Sequence, residues 1–297
     1  MTAVSYAECP ARERLQRLLD AGSFHEWLPP AERVTSPHLA QLGVPSAFDD
    51  GVAVGRGLLN GRTVFVAAQE GAFMGGGVGE VHGAKLAGLL QRALRDRPEA
   101  VLLLADSGGV RLHEANAGLI AVSEVMRGVL DARAAGIPVV VLVGSAGGCF
   151  GGMGIVARCC DRVVMSDVGR LAMSGPEVIE ASHGVDEFDA RDRALVWRTT
   201  GGKHRWLSGD CDLLVEDDVA AFRAAAIAAV GLGPLPVTAE ALETEHALLR
   251  GRLSLLPEEE ALDGDEEAVT LWRRLGAADA ARVPALDVAD VRALRPA

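Results

Sequence analysis

Apolar residues in this chain follow two rhythms. Val101-Leu102-Leu103-Leu104-Ala105 and Val139-Val140-Val141-Leu142-Val143 are unbroken runs, which predicts strands buried on both faces and so a parallel sheet with helical crossovers. Residues 117–134, and Val81, Leu86, Leu89, Leu90 and Leu94, instead repeat at helical spacing, which predicts amphipathic helices. Each of the two strands empties into a glycine-rich turn before its helix. The first turn is Asp106-Ser107-Gly108-Gly109-Val110-Arg111; the second runs from Gly144 to Gly154 and leads into a short helical segment reaching Asp161. Strand, turn and helix in alternation give an α/β fold.

The flanks add elements of the same kind. Residues 8–28 read as an amphipathic helix with Leu15, Leu18 and Leu19 on one face, Pro10 in its first turn and Gly22 at its end. Val52 to Leu58 and Thr63 to Ala68 pair across Asn60-Gly61, a strong two-residue hairpin signal. A third glycine turn, Gly71 to Glu80, precedes the helix carrying Val81 to Leu94. Arg162 to Ser166 and Leu213 to Val215 read as further strands, Pro176 opens a helix, and Thr199 to Trp206 reads as a loop or lid. Val219 to Val230 is an alanine-rich helix, and beyond Gly233-Pro234 the chain is helical, interrupted at Pro257 and Gly264. Three regions follow: an N-terminal helix and loop (1–50), an α/β core (51–233) and a helical segment (234–297).

Composition narrows the function classes. Hydrophobic residues make up 49% of 297 positions, enough for a sizeable core. The net charge of −12 argues against nucleic acid or an anionic membrane as partner. Half of that excess lies in residues 234–297, with thirteen acids against seven arginines, which suggests a packing or subunit-contact element. No membrane-length apolar window and no signal-peptide core are visible, so a cytoplasmic location is expected. The five cysteines have neither zinc-ligand nor disulfide spacing, and no metal is expected.

Three chemistries compete at the turns. Gly152-Met153-Gly154-Ile155-Val156-Ala157 matches a dinucleotide fingerprint, but Gly144 to Gly151 separate it from its strand. Ser107 and Ser145 sit at strand ends, but Val143 stands where Gly-x-Ser-x-Gly needs its first glycine, and both serines suit local turn bonds. The third reading uses the glycines: backbone N–H groups on two adjacent turns can hold one negatively charged oxygen, as in an oxyanion hole. Its bland rival is that the glycines pack helices onto the sheet.

Four motifs then occur in one order: Phe73-Met74-Gly75-Gly76-Gly77-Val78-Gly79-Glu80, Asp106 through Glu114, Gly147-Gly148-Cys149-Phe150-Gly151-Gly152, and Ser174-Gly175-Pro176-Glu177-Val178-Ile179-Glu180. In this the chain resembles the carboxyltransferase β subunits of acyl-CoA carboxylases, members of the crotonase (ClpP-like) superfamily. It lacks the N-terminal four-cysteine zinc ribbon of the bacterial acetyl-CoA carboxylase subunit and holds a single crotonase half. Ser5 to Arg14, Glu70 to Gly76 and Thr199 to Trp206 are similar instead to the β subunits of biotin-independent malonate decarboxylases.

That resemblance implies a crotonase fold of stacked parallel sheets surrounded by helices. It implies decarboxylation of a malonyl thioester on an acyl carrier protein bearing a CoA-derived phosphopantetheine-type arm, together with a homologous γ subunit and an acetyl/malonyl transferase subunit, and no biotin on this chain. It places the oxyanion donors around Gly108, Gly109, Val110, Gly151 and Gly152, and arm contacts at Gly75, Gly76, Gly77, Gly147 and Gly148. The proton for the resulting enolate is left between His113 and water. A single half with an apolar, glycine-lined face is expected to complete its site at a subunit interface. Two alternatives stay open: a carboxyltransferase subunit with biotin-dependent partners, and a non-catalytic scaffold.

Overall fold

The computed structural model describes residues 3–43, 47–255 and 264–295. Its centre is a seven-stranded sheet whose strands lie in chain order. Helix α1 (Ala11–Leu18) precedes strand β1 (His25–Trp27), and the hairpin β2 (Val52–Leu59) and β3 (Arg62–Gln69) follows. Helix α2 (Glu80–Asp96), strand β4 (Ala100–Ala105), helix α3 (Ala117–Ala134), strand β5 (Val139–Val143), helix α4 (Gly151–Cys159) and strand β6 (Arg162–Ser166) form the repeating core. Helices α5 (Pro176–His183), α6 (Arg193–Thr200) and α7 (Gly202–Leu207), strand β7 (Leu213–Val215) and helix α8 (Val219–Gly231) complete it. Helices α9 (Ala239–Leu253), α10 (Gly264–Arg274) and α11 (Val288–Leu294) form the C-terminal segment.

The first three strands are antiparallel neighbours, and β3 to β7 run parallel. Alternation along each strand sorts side chains onto two cores. Val101, Leu103, Val139, Val141 and Val143 pack with α2, α3 and α4. Leu102, Leu104, Val140 and Leu142 face the other way, onto Leu15 and Leu18 of α1 and Phe222 of α8. The chain start is tied to α8 as well: Val4 N donates to Asp218 Oδ1 at 2.9 Å, Ser5 Oγ to Asp217 Oδ2 at 2.6 Å, and the Tyr6 ring stacks on Phe222 at 3.9 Å.

Where the sheet ends, the chain turns across it in a second, thinner layer. Only isolated bridges mark that layer: Val78 with Val110, Ser107 with Cys149, Cys149 with Leu171, and Arg170 with Gly201. The expected second sheet is thus reduced to a ladder of single-residue pairings. Hairpin β2–β3 closes through Asn60 and Gly61, both at positive φ (50° and 76°), as its turn chemistry requires.

Two expectations are corrected. The 8–28 helix stops at Leu18, and residues 25–27 instead form edge strand β1, because His25 to Trp27 pair with Arg56 to Val54 of β2. The 199–206 loop is two helices, α6 and α7, broken at Gly201; Asp192 Oδ1 caps α6 by accepting from Ala194 N and Leu195 N. Of the C-terminal segment, α10 and α11 pack onto the core through Ala268, Trp272, Val288 and Val291, whereas α9 buries none of its residues. The break at Pro257 lies outside the described residues.

Candidate functional site

The two turns predicted from the strand ends meet. Ser107 N donates to Gly148 O and Phe150 N to Ser107 O, both at 2.8 Å, so the backbones run side by side beyond β4 and β5. Two glycines face each other where they meet. A Cβ added at Gly151 would stand 2.9 Å from Gly109 Cα, nearer than real side chains come, and Gly151 and Gly109 have φ of 58° and 131°. A side chain at Gly151 would have to move the other turn, whereas Gly109 is held to glycine by its left-handed φ rather than by a clash.

The fate of each N–H decides what the turns can offer. Gly108 N donates to Gly75 O (2.9 Å), Gly109 N to Ser107 Oγ (3.2 Å) and Gly151 N to Met173 O (3.0 Å), so these three are engaged within the chain. The N–H groups of Val110 and of Gly152, in the first turn of α4, have no partner among the described residues. Gly76 N and Gly77 N close a tight turn onto Phe73 O and Met74 O. Gly147 N donates to Asp106 Oδ1 (3.1 Å) and Gly148 N to Ser145 O (3.0 Å). The Gly75–Gly77 and Gly147–Gly148 segments thus form the floor on which the 106–111 turn rests.

Buried charge brackets that turn. At its start, Asp106 Oδ2 accepts from Arg14 Nη2 at 3.0 Å, with both side chains almost fully buried. Burial pushes the Asp106 carboxyl above the usual carboxylate range, against the pull of Arg14 and of the backbone N–H groups it accepts from. At its end, Arg111 donates from Nη1 and Nη2 to the two oxygens of Asp49, from Nη1 to Glu114 Oε1 (3.1 Å) and from Nε to Gly77 O (2.8 Å). Burial alone would raise the Asp49 carboxyl, but Arg111 and the Gly51 N–H hold it below the usual range. Between the two pairs, Gln69 accepts from Asp106 N at 3.2 Å and contacts His82 Nε2 at 3.0 Å. Burial lowers His82 to about 3, so its ring is neutral.

These brackets were only half visible in the sequence. Asp106 and Arg111 stand at the ends of a glycine turn abutting an apolar strand, which is a signal that each needs a partner. The partners lie 92 and 62 residues away, and no spacing rule finds them. His113 sits beside the turn with its side chain about half exposed and Glu114 at 3.8 Å. With Phe73, Met74 and Arg111 it lines a cavity of about 90 Å³, well under the roughly 300 Å³ of a typical small-molecule pocket. Around the site lie Leu112, Leu119, Ile120 and Met173, all large, apolar and exposed, Leu112 by 84%. Among the described residues, no cluster of His, Cys, Asp or Glu could hold a metal, and no helix is long and apolar enough to cross a membrane.

Sequence comparison decides the family: residues 7–248 match the carboxyl transferase domain. The chain belongs to the carboxyl transferase family. It is 46% identical over 233 residues, 74% of this chain and 73% of its relative, to the malonyl-S-ACP:biotin-protein carboxyltransferase MADC of Malonomonas rubra. Among solved structures, it is similar to a chain of a Pseudomonas malonate decarboxylase hetero-tetramer in complex with malonate. That match has a TM-score of 0.81 and 42% identity, covering 92% of this carboxyl transferase and 98% of that chain. A Pseudomonas malonate decarboxylase MdcD-MdcE hetero-dimer matches with a TM-score of 0.66 and 39% identity, over 83% and 96% of the two chains. The resemblance drawn from the four motifs therefore holds along the chain, and the α/β fold is that of these carboxyltransferases.

Proposed function

We propose that this chain is a subunit of a malonate decarboxylase that converts malonyl-[acyl carrier protein] to acetyl-[acyl carrier protein] and CO2. The observation that carries this reading is the pair of unpartnered N–H groups, Val110 and Gly152, on two touching turns at the carboxyl ends of β4 and β5, in a chain 42% identical to one of a malonate decarboxylase. The C–C bond to the carboxylate breaks, CO2 leaves, and the electron pair moves onto the thioester oxygen as an enolate. Two fixed N–H donors stabilise that oxygen by several kcal/mol without reorganising. Gly151, facing Gly109, lets the turns touch, Gly108 N anchors the first turn on Gly75 O, and the Gly75–Gly77 and Gly147–Gly148 floor would lie under the path of the carrier's phosphopantetheine-type arm. The enolate carbon then takes a proton, from His113 or from water.

The site is completed by a homologous γ subunit. The exposed Leu112, Leu119 and Ile120 beside it provide an apolar surface for a partner. The carrier protein and an acetyl/malonyl transferase are the further subunits this chemistry needs. The Malonomonas relative is named for carboxyl transfer to a biotin protein, so the acceptor has to be tested directly. The complex is purified from its host, primed with acetyl-loaded carrier protein, and CO2 release from malonate is followed with and without avidin. Release untouched by avidin is expected. Release abolished by avidin establishes the biotin-dependent route, and no release from an intact complex leaves a scaffold.

A further inference from the structure

We propose that Arg14 and Asp49, from the segment ahead of the core, are positioning residues that clamp the two ends of the 106–111 turn and so fix the Val110 N–H. The proposal rests on the oxyanion reading above. Between the clamped ends lie four residues, two of them the glycines Gly108 and Gly109, which have no side chain to pack and the widest choice of backbone conformation. Ladder bonds already hold its middle (Ser107 N on Gly148 O, Gly108 N on Gly75 O, Val78 N on Gly109 O), so the freedom left is in where the turn enters and leaves the ladder, and a donor that must reorganise during the reaction loses most of its value.

The clamps remove that freedom from both sides. Arg14 leaves α1 with Nε on Tyr6 O at 3.0 Å and Nη2 on Asp106 Oδ2 at 3.0 Å. Asp49 takes two donors of Arg111, whose Nε simultaneously holds Gly77 O, so one guanidinium ties the turn to its floor. Stability alone is a poor reason for the first pair. Arg14 Nη1 and Tyr6 Oη are buried without a partner among the described residues, and an apolar side chain of similar volume commonly serves a core as well or better than a buried ion pair. What the pair supplies is direction: it fixes where strand β4 hands over to the turn.

The test uses the assembled complex. Arg14→Met combined with Asp106→Asn removes the pair without orphaning either charge, and Arg14→Lys keeps the charge. For the double variant, kcat for CO2 release is expected to fall at least about tenfold with KM within about twofold, the mark of a lost transition-state interaction. Hydrogen exchange at the Ser107 and Gly108 amides is expected to accelerate about tenfold while the Leu102 and Leu104 amides keep wild-type protection. Arg14→Lys is expected to restore most of kcat. Unchanged exchange at Ser107 and Gly108, or acceleration shared by Leu102 and Leu104, overturns the clamp. A wild-type complex that releases no CO2 overturns the decarboxylase reading instead, and the exchange comparison still decides the clamp.

Discussion

The two turns of the site share one main-chain ladder but differ in the charge they carry. The 106–111 turn is bracketed by side-chain charge, Asp106 with Arg14 and Arg111 with Asp49. The 144–152 turn contains no charged residue: Cys149 N donates to Arg170 O at 2.8 Å, Ala172 N to Cys149 O at 3.2 Å and Gly151 N to Met173 O at 3.0 Å, with Ser145 Oγ on Ala105 O, Gly147 N on Asp106 Oδ1 and Arg170 Nη2 on Ala146 O as side-chain braces. Both turns sit inside the ladder, the first between Val78 and Cys149 and the second between Ser107 and Leu171. What sets the first apart is that its two ends are charged and buried, so each needs a partner.

That contrast can be broken at several points. The largest effect is expected from Gly151→Val, which forces a side chain into Gly109 from a left-handed backbone; CO2 release should fall on the order of 10² to 10³-fold, as for loss of an oxyanion donor. Wild-type turnover in that variant would remove Gly151 from the site. Arg111→Met strands Asp49 and Glu114 as buried carboxylates and should cost about 3–5 kcal/mol in urea unfolding. Ser145→Ala, by contrast, loses one neutral bond of 2.9 Å and should cost about 1 kcal/mol. Equal costs for these two would erase the distinction between the turns. Least is expected of Leu112→Asp, on an exposed position: stability of the isolated chain should stay within about 0.5 kcal/mol, while co-purification of the partner subunit is weakened.

Acid sharpens the comparison within the first turn. Asp49 has a depressed carboxyl, so its stabilisation is present above the ordinary carboxylate range and is lost only as pH falls through its lowered folded value. Asp106 is raised, so it takes up its proton first, and that uptake favours the folded state as pH falls. On acidification, turnover is therefore expected to fall before circular dichroism reports unfolding. Simultaneous loss of both would place the weak point elsewhere.

Much of this architecture was legible from residue patterns, because it depends on contacts that are local or periodic. Unbroken apolar runs located β4 and β5, and helix α3 fell on residues 117–134 as its spacing predicted. The hairpin followed from Asn60-Gly61. What escaped was settled by distant partners. His25 to Trp27 became a strand because β2 offered an edge, and residues 199–206 became helical around a break that Gly201 makes possible. At the site, the glycines were legible but their division of labour was not: which N–H stays free depends on Gly75 O, Ser107 Oγ and Met173 O, each supplied by the folded geometry.

The tie between the chain start and α8 has a consequence for biosynthesis. Val4, Ser5 and Ala7 find their carboxylate partners at Asp217 and Asp218, more than 200 residues later. During synthesis α1 can dock on the β2–β3 hairpin soon after that emerges, but its other wall, α8, follows only after β7. Leu15, Leu18 and above all the Tyr6 ring, buried in the finished molecule partly against α8, stay only partly covered over that interval. Such non-local closure slows folding and leaves apolar surface open to other chains. Closing that face of the core therefore waits until residues 217–222 come back to meet Val4, Ser5, Tyr6 and Ala7.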